Sequence, residues 1–123
     1  MSPLESAKDQ LLKPVLKRLQ GCIKNCQYNI RNTRKNNTTL AHFGWTIEDQ
    51  ENILLSLKPS DCYKVDDDLD RTDSEEPVYK FHKGYAGRLL YIKMTFQIMK
   101  NPDDQSDFAD IMSLHIDDYK DPI

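Results

Sequence analysis

Gly87-Arg88-Leu89-Leu90-Tyr91-Ile92-Lys93-Met94-Thr95-Phe96-Gln97-Ile98 alternates apolar and mixed side chains with a period of two. Leu90, Ile92, Met94, Phe96 and Ile98 fall on one face, and Leu89, Tyr91, Lys93, Thr95 and Gln97 on the other. Successive side chains of a strand point to opposite sides of its sheet. The pattern therefore predicts a strand with one face on a core and one half open. On the open face Tyr91 and Lys93 stand about 7 Å apart along the pleat. A basic, aromatic sheet surface of this kind suits a phosphate chain.

Working outward, residues 77–83 read as a second strand with Tyr79 and Phe81 on one face. Gly84-Tyr85-Ala86-Gly87 reads as the turn that joins the two into a hairpin. Asn101-Pro102-Asp103-Asp104 is another turn, and residues 110–116 form the last strand. There Met112, Leu114 and Ile116 share one face, and Ile111, Ser113 and His115 the other. If each apolar set faces a helical layer, Tyr91, Lys93 and His115 all point outward on the same side. That inference needs unbroken alternation; one bulge inverts it.

The N-terminal half is helical in pattern. Ser2-Pro3-Leu4-Glu5 has the form of a capped helix start. Leu4, Leu11, Leu12, Val15, Leu16, Leu19 and Ile23 follow at roughly helical spacing. Pro14 predicts a kink or a second helical piece, and Gly21 a stop. Residues 27–31 are a short strand candidate and residues 32–37 a polar loop. Thr38 or Thr39 could cap a short helix that runs to His42 and ends at Gly44. Thr46-Ile47-Glu48-Asp49 is a capping box, followed by an apolar stripe at Ile53, Leu54 and Leu57. Residues 59–64 resemble one helical turn, and residues 65–76 an exposed acidic loop. Helices followed by consecutive strands predict an α+β fold, with an antiparallel sheet of three to four strands packed on one face by the N-terminal helices. The 123 residues fit a single domain, with residues 1–24 as a helical extension and residues 26–118 as the core.

Composition narrows the function classes. No apolar run is long enough to span a bilayer, and the first residues lack a signal pattern. Cys22, Cys26 and Cys62 form no regular framework. The expectation is a reduced, cytoplasmic protein without membrane partners. The net charge of −3 conceals blocks of +6 (residues 1–40), −8 (41–76), +4 (77–99) and −5 (100–123). Segregated charge can make a local anion-binding surface on an acidic protein. The aspartates of the 65–76 stretch lack the EF-hand glycine and glutamate at the required positions. Cys22 and Cys26 have no second close pair to complete a zinc site. No metal and no cofactor is expected.

The remaining chemistry suits RNA cleavage without a metal. A 2′-hydroxyl must lose its proton, charge on phosphorus must be held, and the departing 5′-oxygen must be protonated. His115 is an imidazole and suits acid or base work near neutrality; His82 is the next candidate. Lys64, Lys83, Arg88 and Lys93 could neutralise phosphate. Tyr91 could bond a phosphate oxygen or stack on a base.

Three blocks add a resemblance. They are residues 36–44 followed by Ile53-Leu54-Leu55-Ser56-Leu57-Lys58-Pro59-Ser60-Asp61-Cys62-Tyr63-Lys64; residues 78–83 with Gly87-Arg88-Leu89-Leu90-Tyr91-Ile92-Lys93; and Ile111-Met112-Ser113-Leu114-His115. In this order they resemble the MqsR family of type II toxins, whose fold is similar to RelE-like ribonucleases. Cys62 stands where that family usually has an aromatic residue, and Glu76 where some relatives have glutamine. The resemblance implies a sequence-selective mRNA endoribonuclease (an mRNA interferase) neutralised by a cognate antitoxin. It also implies that Lys64, Tyr91 and His115 line the active site. The competing reading is a non-catalytic module of the same fold that binds RNA or a protein.

Overall fold

The computed structural model describes residues 3–66, 76–98 and 107–117. The elements in order are α1 (Pro3–Lys24), β1 (Tyr28–Ile30), α2 (Arg34–Phe43), α3 (Ile47–Leu55), a 3-10 turn (Pro59–Asp61), β2 (Cys62–Asp66), β3 (Val78–Tyr85), β4 (Arg88–Ile98) and β5 (Asp107–Ile116). The fold is α+β, with the helices contributing to a core on one face of the sheet. The cap expected at Ser2, the turn at 101–104 and residues 67–75 of the acidic stretch lie outside the described residues. No described helix is long and apolar enough to cross a membrane.

Two features of the sheet differ from the expectation. Among the described residues it has five strands, ordered β1-β5-β4-β3-β2, and it is mixed, because β1 runs parallel to β5. A three-residue strand carries too little pattern to reveal its direction, and its partner lies at the other end of the chain. The fifth strand, β2, replaces the end of the expected helical turn and the start of the expected loop. Pro59-Ser60-Asp61 does make the helical turn, with Pro59 at its start. Edge strands are commonly charged and half exposed, which is how Cys62–Asp66 escapes a hydrophobicity reading.

α1 runs unbroken through both Pro14 and Gly21. Leu12, Val15, Leu16, Leu19, Cys22 and Ile23 are buried at helical spacing, whereas Leu11 is exposed. The helix stops after Lys24, where Cys26 adopts a left-handed conformation (φ 56°). The Gln27 amide then donates to Cys22 O (2.8 Å) and the Cys26 amide to Ile23 O (3.2 Å). These are the two bonds of a Schellman cap, here without the usual glycine. α2 begins at Arg34, with its cap at Thr33 rather than at Thr38 or Thr39, because Thr33 Oγ1 accepts from the Asn36 amide (3.1 Å). The α3 capping box forms as expected between Thr46 and Asp49.

The core side of the sheet carries Tyr79, Phe81, Leu90, Ile92, Met94, Phe96, Ala109, Ile111 and Leu114, packed on α1, α3 and Trp45. The β3–β4 hairpin closes through Ala86 (φ 49°) and Gly87 (φ 79°), a two-residue loop of the twist that suits strand pairs. This loop sets the register that builds the opposite face.

Candidate functional site

Tyr91 on β4 is directly opposite His82 on β3 and His115 on β5. Residues paired across strands share a face, so the three side chains form one row on the side away from the helical core. The Tyr91 ring lies 5.5 Å from His115 and 6.1 Å from His82. A fourth ring completes the row. The pairing of β2 with β3 shifts by one residue between Cys62 and Lys64. This bulge releases Tyr63, whose ring stacks on His82 at 4.1 Å and 8°. The next row along the face holds Lys64, Lys80, Lys93 and Ser113.

A second bulge decides the fate of β5. Lys93 pairs with Ser113 but Met94 with Ile111, leaving Met112 as the extra residue. Ile111 therefore enters the core, while Met112 lines the cavity on the open side, the reverse of the simple alternation. Ser113 to Ile116 lie beyond the bulge and keep the expected parity, so His115 stays beside Tyr91. It is not exposed as expected, however; only 8% of its surface is accessible.

α2 explains that burial. β1 covers the edge of β5 only as far as Ile111. Past that point α2 side chains replace a neighbouring strand. Asn36 Oδ1 accepts from the Leu114 amide (2.9 Å), and its Nδ2 donates to Arg31 O (2.9 Å) and Met112 O (3.4 Å). Thr39 Oγ1 accepts from the Ile116 amide (3.0 Å). Both residues are buried. A carboxamide offers the same donor and acceptor as a peptide group, which is why asparagine can stand in for backbone here. With α2 docked this way, Thr33, Arg34 and Lys35 at its start wall a cavity of about 660 Å³, to which Tyr63, His82, Tyr91, Met112, Ser113, His115 and Asp117 contribute.

The two imidazoles are held differently. His115 Nδ1 is 2.9 Å from Ile116 O, a pure acceptor, so Nδ1 carries the hydrogen and a neutral ring keeps its lone pair on Nε2. His82 Nε2 is 2.8 Å from Asp117 Oδ2. Asp117 follows β5 and is fixed by its own amide, which donates to Leu89 O (2.9 Å). Partial desolvation, helped by Tyr91 and Asp117, pushes the Tyr63 phenol up to about 12. It therefore remains a neutral hydroxyl. Among the described residues no group of three or more His, Cys, Asp or Glu is placed to hold a metal ion.

Of the residues singled out in the sequence, Tyr91, His115 and the next candidate, His82, come together in the cavity. Lys93 shares their face one row away, opposite Ser113. Lys64 is in the same row at the sheet edge, largely exposed and 3.6 Å from Asp66, and does not line the cavity. Lys83 pairs with Leu90 and so turns to the opposite face, where it reaches Asp61 (3.7 Å) and Ser56 O (3.3 Å). Arg88 lines a separate groove. Tyr63, Asp117, Arg34 and Lys35 went unnamed as site residues. Placing the turn on Ala86-Gly87 would have put His82 opposite Tyr91; the Tyr63 bulge and the docking of α2 leave no such trace. The chain matches no known family model, and no curated protein matches it.

Proposed function

We propose that this protein is an endoribonuclease that cleaves single-stranded RNA, with mRNA as its target, through attack by the 2′-hydroxyl. The observation that carries this reading is the pair of imidazoles, His82 and His115, on either side of Tyr91 in one cavity with cations on its wall. His115 Nε2 removes the 2′-hydroxyl proton, the 2′-oxygen bonds to phosphorus, and the P–O5′ bond breaks. His82, protonated on both nitrogens with one N–H on Asp117, gives its other proton to O5′. The products are a 2′,3′-cyclic phosphate and a 5′-hydroxyl; solvent returns the transferred proton from His115 to His82. Arg34 and Lys35 hold the phosphate oxygens as charge develops. Tyr91 hydrogen-bonds the phosphate, and half-exposed Tyr63 offers a ring for a base. The resemblance to MqsR-type toxins supports the same activity and adds a partner, an antitoxin that blocks the cavity.

The test is a labelled transcript incubated with purified protein, followed by end-group analysis. His115→Ala and His82→Ala should each slow cleavage by about a hundredfold or more, the usual contribution of a positioned acid or base. The rate should be bell-shaped in pH, since one imidazole must be neutral and the other charged. Full activity in the double variant would remove this mechanism. Failure of the unmodified protein to cut any RNA, with or without ribosomes, would leave a binding module in its place.

A further inference from the structure

The cavity does not end at α2. Arg34 and Lys35 line it on one side and also line a second groove of about 580 Å³ on the other. Thr38, Thr39, His42 and Arg88, with Ile116, complete the walls of that groove. It lies along α2, beside the end of β5 and the start of β4. Among the described residues its lining carries three cations, two hydroxyls and an imidazole, and no carboxylate; the Thr39 hydroxyl already accepts from the Ile116 amide. On a chain of net charge −3 this is a concentrated basic strip. Guanidinium, ammonium and hydroxyl groups are the side chains that contact phosphate oxygens. The lining holds one aliphatic side chain, Ile116, and is otherwise built from basic and hydroxyl-bearing residues.

We propose that this groove binds the phosphodiester backbone of single-stranded RNA on one side of the cleaved bond, the strand crossing the first turn of α2 over Arg34 and Lys35. The proposal rests on the ribonuclease reading and deepens it. The substrate is a strand several nucleotides long, with bases splayed onto the rings of the cavity and flanking phosphates carried by the groove.

The test uses 2′-O-methyl oligonucleotides, which cannot be cut, in fluorescence anisotropy over a range of salt. A nonanucleotide should bind about tenfold more tightly than a trinucleotide, with a steeper salt dependence. Arg88→Gln should weaken the nonanucleotide about three- to tenfold and flatten its slope by about 0.7, the single-strand value for one phosphate; trinucleotide affinity should not change. Thr38→Glu, at an exposed helix position, should weaken the nonanucleotide in the same way and guards against a folding defect at Arg88. Equal affinity for both lengths, or no effect of either substitution on the nonanucleotide, overturns the groove; transcript cleavage by the unmodified protein would then still uphold the ribonuclease reading. Polyglutamate binding more tightly than the nonanucleotide would assign the groove to an acidic protein and overturn it as well. A protein that neither binds the oligonucleotides nor cuts a transcript would refute both.

Discussion

Tyr63 shows what one extra residue does to a site. Its neighbours Cys62 and Lys64 pair in the ordinary way with β3, and the bulge between them turns the ring onto His82. If that ring holds the imidazole flat, Tyr63→Phe should keep RNA cleavage within about twofold, whereas Tyr63→Ala should lower it by about tenfold, the scale of one aromatic contact. Desolvation pushes the phenol up to about 12, so it stays a neutral hydroxyl around neutral pH. The pH–rate profiles of the protein and of Tyr63→Phe should therefore superimpose between about pH 5 and pH 8. A new limb in the Phe variant would show that the hydroxyl moves a proton. Asp117→Asn should act differently, raising no substrate KM but lowering kcat by about tenfold or more as His82 loses its fixed orientation.

At the scale of elements, α2 and the hairpin fix the geometry by opposite means. α2 is polar all along its first turns and is held by the hydrogen bonds of Asn36 and Thr39 to β5. Asn36→Ala leaves the buried Leu114 amide without its acceptor and should cost about 1–3 kcal/mol in chemical denaturation. The hairpin instead depends on backbone conformation. Ala86 is left-handed at φ 49°, where a Cβ is unfavourable and asparagine is better tolerated. Ala86→Asn should stabilise by about 0.5–1 kcal/mol, a gain read as a higher denaturant midpoint at unchanged slope. Period-two alternation made β3, β4 and the last turns of β5 legible, along with the shared face of Tyr91 and His115. It failed at Met112 and Tyr63 because a bulge is a local exception to that period, set by the partner strand. It failed at Arg34 to Asn37 because asparagine is a poor helix former until tertiary bonds hold it.

Across the whole molecule, Arg18 ties the helical layer to the sheet. Its guanidinium reaches Glu76 (2.8 Å) and Asp107 (2.6 Å), on either side of the β3–β4–β5 unit, and lies 4.3 Å from the centre of the Phe96 ring. The Arg18 hydrogen bond holds the Asp107 carboxyl below its ordinary value. A carboxylate lowered in the folded state adds stability above its unfolded pKa, near ~4, and loses it as pH falls through the lower folded value. Acid should therefore erode stability below about pH 4, and Arg18→Met should show a shallower loss there. At neutral pH that variant should lose about 1–2 kcal/mol, since partly exposed ion pairs and a cation over a ring are each worth about 0.5–1. This three-way tie joins residues of unlike sequence position, and composition alone gave no hint of it.

The borrowed edge of β5 also gives the site its own reporter. Amides facing β4 are protected by backbone partners, as Asp117 is by Leu89, whereas those of Leu114 and Ile116 are protected only by side chains of α2. In native-state hydrogen exchange the two sets should separate, alternating residue by residue along one strand. Leu114 and Ile116 would exchange whenever α2 lifts, carrying Arg34 and Lys35 away from the histidines, while the sheet stays intact. Their protection would thus measure how often the cavity opens, and anything bound across it should slow those two amides first.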